Sequence, residues 1–222
     1  MEFSDALASA IHDIKNSLGM VLHTVEELTA DPDGKLAGDP RAIAMQLEAR
    51  RASSHLIQLL TLYKLEKERF VPNILEHDVD DFLDDLVVEH KSLAAARGIG
   101  LEYDCATGLC GYFDQDLIRG VLNDAIGNAE RYTKSRIMLV ANQQNGYLVI
   151  SVEDDGVGFP RAMLELQHAL EGGRSFGTGR TNLGLYFSHQ VARAHKDGER
   201  IGMIRLDNRC HLEGGCFSIW LP

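Results

Sequence analysis

Up to residue 70 the apolar positions recur in alternating steps of four and three: Leu7, Ile11, Ile14, Leu18, Val21, Val25 and Leu28, then Met45, Ala49, Ala52, Leu56, Leu59 and Tyr63. That spacing lays one apolar stripe along each of two helices, kept up over about three heptads in the first. The stretch ADPDGKLAGDP (30–40) separates them, and its Gly, Pro and Asp content predicts a loop. Asp39 can cap the second helix, with Pro40 preset for the first helical position. Two helices joined this way form an antiparallel hairpin. A lone hairpin cannot bury both stripes. It must pair with a second copy as a four-helix bundle, or pack on its own C-terminal domain; the reading adopted is the homodimer.

FVPNILEHD, with Pro72, ends the helical pattern and divides the chain into domains 1–70 and 71–222. Beyond it the period changes repeatedly. Val79 to Ala96 has Phe82, Leu83, Leu86, Val87, His90 and Leu93 on one side and predicts a helix, as does Asp116 to Tyr132. Gly100 to Asp104, Arg136 to Ala141 and Tyr147 to Glu153 alternate or run apolar, as strands do. Pro160 to Asn182 reads as loop, Leu183 to His195 as helix, and Arg200 to Leu206 and Cys216 to Leu221 as closing strands. Interleaved strands and helices predict an α/β sandwich with helices on one face of a mixed sheet.

Composition narrows the function classes. A net charge of -11 argues against nucleic acid or an anionic membrane as partner. No apolar run approaches the roughly 20 residues of a membrane span, so no membrane insertion is expected. MEFSDALASA lacks a basic-then-apolar leader, and Cys105, Cys110, Cys210 and Cys216 show no Cys-x-x-Cys spacing. Reduced thiols and a cytoplasmic location are the expectation.

Four stretches could carry chemistry. With Ile11 and Ile14 facing a bundle core, His12 points outward and Asn16 follows one turn later on the same side. Asp13 beside His12 can take a proton from one ring nitrogen and make the other a better nucleophile. Taken alone, such a pair is an ordinary solvated face. Asp154-Asp155-Gly156-Val157-Gly158 follows an apolar strand; a buried Asp there can accept from an exocyclic amine, and glycines let backbone approach a flat ligand. It equally suits a simple turn. Gly172 to Gly179, rich in glycine, precedes Asn182-Leu183-Gly184-Leu185 at a helix start, where backbone N–H groups with Arg174 and Arg180 suit a polyphosphate, or where a flexible linker would serve. Finally, Asp124 and Asn128 stand four apart on a helix and can reach one metal or phosphate, with Arg131 near the same side; Asn123 is rotated away.

In that order, His-Asp-x-x-Asn, Asn-Ala-x-Arg-Tyr, Asp-x-Gly-x-Gly and Gly-Thr-Gly with Leu-Gly-Leu, the motifs resemble those of sensor histidine kinases of two-component systems. The likeness spans nearly the whole chain. It implies a dimerising all-α hairpin followed by an α/β sandwich of the Bergerat ATPase type. It implies ATP with Mg²⁺, autophosphorylation on His12 with Asp13 as its general base, and transfer to an aspartate of a response-regulator receiver domain. Asn16 would serve dephosphorylation of that partner. Asp154 would read adenine, Gly156 and Gly158 would line its pocket, Tyr132 would flank it, and Arg131 would contact phosphate. Asn128, joined by Asp124, would hold the metal. Gly177, Gly179, Leu183 and Gly184 would belong to an ATP lid running from about Pro160 to Asn182.

Some positions depart from the family. Ser17 stands where proline usually follows the Asn, Asn182 replaces a lid glycine, Arg180-Thr181 is inserted, and Asp124 replaces an Asn. Two other readings fit the same scaffold: a histidine phosphotransferase or phosphatase without kinase activity, and an ATPase or serine kinase of the GHKL class acting as a switch. No sensor segment is recognisable ahead of His12, so a separate sensor protein is an expected partner.

Overall fold

The structure, a computed structural model, describes residues 14, 16–21, 23–25, 27, 39–66, 71–171 and 183–222. The chain divides into two compact units, Met1–Phe70 and Val71–Pro222. No described helix is long and apolar enough to cross a membrane.

In the first unit the described residues between 14 and 27 are helical (α1), and α2 covers Pro40–Glu66. Its start follows the sequence: Asp39 Oδ1 accepts the Arg41 N–H at 2.8 Å and the carboxylate also takes the guanidinium at 2.9 Å. Pro40 has no N–H and so adds no unpaired donor of its own to the first turn. Val25, Gln58 and Leu62 are buried. Ile14, Val21, Met45 and Leu59 lie on the stripes read from the spacing, yet are 49%, 47%, 52% and 45% exposed. In the single chain much of this apolar seam is therefore surface.

The second unit is built on a five-stranded mixed sheet, β2-β4-β5-β9-β8. Its strands are β2 (Gly100–Cys105), β4 (Arg136–Gln144), β5 (Tyr147–Asp154), β9 (Gly215–Leu221) and β8 (Met203–Asn208). β2 and β4 run parallel and the remaining pairs antiparallel. Among the described residues four helices accompany the sheet: α3 (Val79–Ala96), α4 (Gln115–Tyr132), α5 (Arg161–Glu171) and α6 (Leu183–Ala194). β1 (Leu75–Asp78) pairs with β3 (Cys110–Phe113), and β6 (Lys196–Asp197) with β7 (Arg200–Ile201), in two small antiparallel ladders.

The two sheet faces differ because side chains alternate along a strand. One face carries Ile137, Leu139, Ile150, Val152, Phe217 and Ile219, all buried, beneath Leu83, Leu86, Ile118, Leu122, Ile126 and Phe187 of the helices. Burial of such side chains contributes about 1.5–3 kcal/mol each, and this layer is the core. The other face is part polar. There the Arg205 guanidinium lies 4.4 Å from the Trp220 ring centre and covers it.

The stretch from Pro160 to Asn182 was expected to be loop throughout, and α5 corrects this for 161–171. The helix closes the free edge of β8: the Gln167 side-chain oxygen accepts the Leu206 N–H, which no strand would otherwise satisfy. The closing strand expected over 200–206 is also divided. Gly202 separates β7 from β8, its N–H turned to the His195 carbonyl at 2.9 Å, and a Cβ there would lie 2.3 Å from the Ala192 carbonyl oxygen at the end of α6.

Candidate functional site

The site grows from the end of β5. Asp154 is its last residue and its side chain falls on the helix face, 7% exposed. Oδ1 accepts the Gly156 N–H at 2.7 Å, and a Cβ on Gly215 would lie 2.9 Å from Oδ2. A buried carboxylate with one oxygen fixed in a turn is an oriented acceptor, suited to an amine donor.

The glycines around it are needed for close approach. A Cβ on Gly156 would sit 2.2 Å from the Tyr132 carbonyl oxygen, so the turn after β5 lies directly on the C-terminus of α4. Gly158 has φ +77°, and Asn208 clips the next residue by accepting the Phe159 N–H at 2.7 Å and donating to its carbonyl at 3.1 Å. Gly214 donates its N–H to the Asp154 carbonyl at 2.9 Å, and a Cβ on it would lie 2.3 Å from Asp154 Oδ1.

Asp155 holds the other side. Its carboxylate accepts from Thr133 Oγ1 (2.5 Å), the Lys134, Ser135 and Arg136 backbone N–H groups, and Ser135 Oγ (2.7 Å). Burial by itself would raise this carboxyl's pKa, but the bonds from Thr133, Ser135 and Arg136 outweigh it and hold the group far below the usual carboxylate range. The α4–β4 turn is thereby tied to the turn after β5.

α4 supplies the remaining side chains. Its amphipathic pattern buries Val121, Leu122, Ala125, Ile126 and Ala129, and Asp114 caps it by accepting the Leu117 N–H. Asp124, Asn128 and Tyr132 follow one another at four-residue steps along the row that leads to Gly156. Asn128 donates from its side-chain amide to Asp124 Oδ2 at 3.3 Å and is exposed, as are Arg131 and Tyr132. Asn123 instead faces α3, its Oδ1 lying 3.0 Å from His90 Nε2. Gly184, in the first turn of α6, packs on this row: a Cβ there would lie 2.0 Å from Asp124 Oδ2. Leu183 beside it is half-buried.

The fold thus brings Asp154, Gly156, Gly158 and Tyr132 together around one turn. It brings Asp124, Asn128 and Gly184 together one to two helical turns away. Asn16 is helical and exposed in the first unit. His12, Asp13, Gly177 and Gly179, with Arg174 and Arg180, lie outside the described residues. Sequence reasoning missed Asp155, Asn208 and Gly214. Asp155 carried a signal, as the second carboxylate of an Asp-Asp-Gly turn; the other two act from a distant hairpin and carried none.

Residues 113–222 match the family described as histidine kinase-, DNA gyrase B-, and HSP90-like ATPase. The sensor-like histidine kinase SenX3 of Mycolicibacterium smegmatis is 26% identical over 98% of this chain and 57% of its own length. The phosphate regulon sensor protein PhoR of Pseudomonas aeruginosa is 27% identical over 86% of this chain and 45% of its own. The chain thus spans about half the length of these relatives. Among solved structures, the Acinetobacter baumannii histidine kinase AdeS shares the fold with a TM-score of 0.61 at 21% identity, covering 95% of this chain and 96% of that one. ShkA, solved in complex with AMPPNP, aligns over 98% of this chain and 45% of its own with a TM-score of 0.66. Motif order, the Bergerat-type sandwich and these relatives agree: residues 113–222 form an ATPase domain of the histidine kinase-, DNA gyrase B-, and HSP90-like family, and the chain around it is similar to two-component histidine kinases.

Proposed function

We propose that this protein is an ATP-dependent histidine kinase of the cytoplasm that phosphorylates itself on His12 and passes the phosphoryl group to an aspartate of a response-regulator receiver domain. The observation that carries the reading is the junction of Asp154, Gly156 and the α4 row. A buried, oriented acceptor suited to adenine sits at one end, and oxygen ligands suited to a metal sit one to two turns away.

Asp154 would accept from the adenine amine, with Gly156 and Gly158 shaping the turn and exposed Tyr132 beside it. Arg131 would meet phosphate. Asn128 and Asp124 present oxygen ligands four residues apart, a donor set that fits Mg²⁺, a hard cation that prefers oxygen. Bound there, Mg²⁺ would neutralise phosphate charge. Gly177, Gly179, Leu183 and Gly184 would form part of a lid over the phosphates. Asp13 would hold the proton of one His12 nitrogen so that the other attacks the γ-phosphorus, and Asn16, exposed one turn on, would orient a water or phosphoryl oxygen.

Incubation of the full chain with γ-labelled ATP and Mg²⁺ should yield an acid-labile, base-stable phosphoprotein, and His12→Ala should carry no label. Equal labelling of His12→Ala would refute the assignment of His12. A wild type that takes label only from a phosphorylated regulator would establish the kinase-inactive phosphotransferase instead.

One observation favours an added activity. Asp124 places a carboxylate against Asn128 and the start of α6, where it could also accept a proton from water attacking the γ-phosphate. In a His12→Ala background, Asp124→Asn is expected to lower phosphate release several-fold. Asp124→Asn alone should still label His12. Release that is already nil in His12→Ala disproves this hydrolysis.

The open seam of the first unit supports a homodimer through a four-helix bundle. Leu18 and Leu56 lie on that seam, each half-buried in the single chain. Leu18→Asp would bury an unpaired carboxylate there, at a cost of several kcal/mol. The dimer should dissociate in sedimentation while ATP binding persists. A wild type that sediments as monomer at micromolar concentration rules the bundle out.

A further inference from the structure

On the sheet face away from the helices, Glu153, Cys210 and Cys216 come together, and the proposed kinase reaction uses none of them. Glu153 precedes Asp154 on β5, so its side chain points to the opposite face. Cys216 on β9 is its direct cross-strand partner. Cys210 comes from the turn between β8 and β9. That turn is folded back by the Arg209 N–H on the Gly214 carbonyl (3.0 Å) and the Gly214 N–H on the Asp154 carbonyl (2.9 Å). One ligand atom from each of the three side chains lies within 4.8 Å of the other two. Glu153 and Cys216 are 1% and 5% exposed, whereas Cys210 is exposed, so an ion would enter on the Cys210 side.

We propose that Glu153, Cys210 and Cys216 form a binding site for a thiophilic divalent cation of the zinc class. Two sulfurs and one carboxylate oxygen are a borderline-soft set, which selects zinc-like ions over magnesium or calcium. The carboxylate has capacity left. Oε2 accepts the His211 and Leu212 N–H groups at 2.7 and 3.2 Å, while Oε1 accepts, among the described residues, only His211 Nδ1 at 2.8 Å. One lone pair of Oε1 is thus available for coordination. The same bonds orient the carboxylate and hold the turn that bears Cys210, much as second-shell partners do at metal centres. Sulfur ligands around a tetrahedral zinc-class ion stand roughly 3.8 Å apart, so a small inward swing of Cys210 closes the set. Because Cys210 is exposed, water could complete the coordination from that side. On coordination each thiol gives its proton to the buffer. Local spacing carries no signal for this set, because Cys210 and Cys216 are six residues apart and the third ligand lies 57 residues before Cys210.

The test uses the reduced, metal-stripped full chain without nucleotide, so its outcome is independent of the kinase reading. Titration with Co²⁺ should produce near-ultraviolet thiolate-to-cobalt charge transfer and strong tetrahedral visible bands, saturating at one ion per chain and abolished by Zn²⁺. Cys210→Ser, at an exposed position that leaves the core intact, should abolish the charge transfer or weaken Co²⁺ binding at least ~30-fold, and Cys216→Ser likewise. Glu153→Gln should weaken binding about tenfold if it folds. Cys105→Ser and Cys110→Ser should change nothing. Charge transfer that is absent from the wild type, or undiminished in Cys210→Ser, overturns the site. So does a chain that takes up no Co²⁺ and instead closes a Cys210–Cys216 disulfide with oxidised glutathione.

Discussion

Gly156→Ala is expected to weaken ATP binding by roughly 30-fold or more, about 2 kcal/mol. The added methyl would lie 2.2 Å from the Tyr132 carbonyl oxygen and 2.7 Å from Asp154 Oδ1. The first of these is backbone at the end of α4 and cannot rotate aside. The turn must therefore lift away from α4, and the N–H that fixes Asp154 Oδ1 goes with it. Both ends of the proposed adenine pocket shift together, since Asp154 stands on one side of the clash and Tyr132 on the other. Gly127→Ala is the matched control. Gly127 lies on α4 next to Asn128, and a Cβ there meets nothing within 4 Å. That change should leave ATP affinity unaltered and stabilise the helix by about 0.5–1 kcal/mol, because alanine loses less backbone freedom on folding. Calorimetric titration of both variants with a non-hydrolysable ATP analogue decides the matter. Wild-type affinity in Gly156→Ala would mean that this turn does not shape the nucleotide site.

Such arguments separate what could be read in the sequence from what could not. α3, α4 and α6 and the central strands were legible because each carries a full period of buried positions, as in Phe82, Leu83, Leu86 and Val87 or in Ile137 and Leu139. α5 was not. It follows Pro160 and runs into the glycines at 172–173, so composition pointed to loop, while the bond that seats it, Gln167 to Leu206, joins residues 39 apart. β1 and β3 were missed because four-residue strands show too little alternation to register. Within the candidate site, Asp154, Gly156 and the Asp124–Asn128 pair were singled out from local spacing, and the fold sets the turn after β5 against the C-terminus of α4, which carries Asp124 and Asn128. Their reasons were only partly legible. Gly156 was read as room for a flat ligand, but the room is taken by the Tyr132 carbonyl. Gly184 was read as a lid glycine, but a side chain there would strike Asp124. A glycine in sequence reports that space is required; only the fold says what fills it.

Asp155 should prove a major determinant of the stability of the second unit near neutral pH. Five donors from 133–136 converge on its carboxylate. Bonds to a charged group contribute roughly 1.5–3 kcal/mol each, but these share one anion, are not additive, and the residue is only half-buried, so solvent competes for it. A net loss of about 3 kcal/mol for Asp155→Ala follows, read as a fall in the urea midpoint at unchanged slope. The pH dependence identifies the cause. The carboxyl of the folded chain is held far below the usual range, while in the unfolded chain it titrates near the ordinary value of about 3.9. Above that pH both states carry the charge and the full contribution is present. As pH falls below about 4 the unfolded chain takes up a proton that the folded chain refuses, so stability declines toward the much lower folded pKa. Other carboxylates titrate in the same range, but they are common to both chains. The stability difference between wild type and Asp155→Ala should therefore be constant from pH 7 to about 5 and shrink steadily below 4. A difference that stays constant down to pH 3 would mean that the side chain acts through packing and not through its charge.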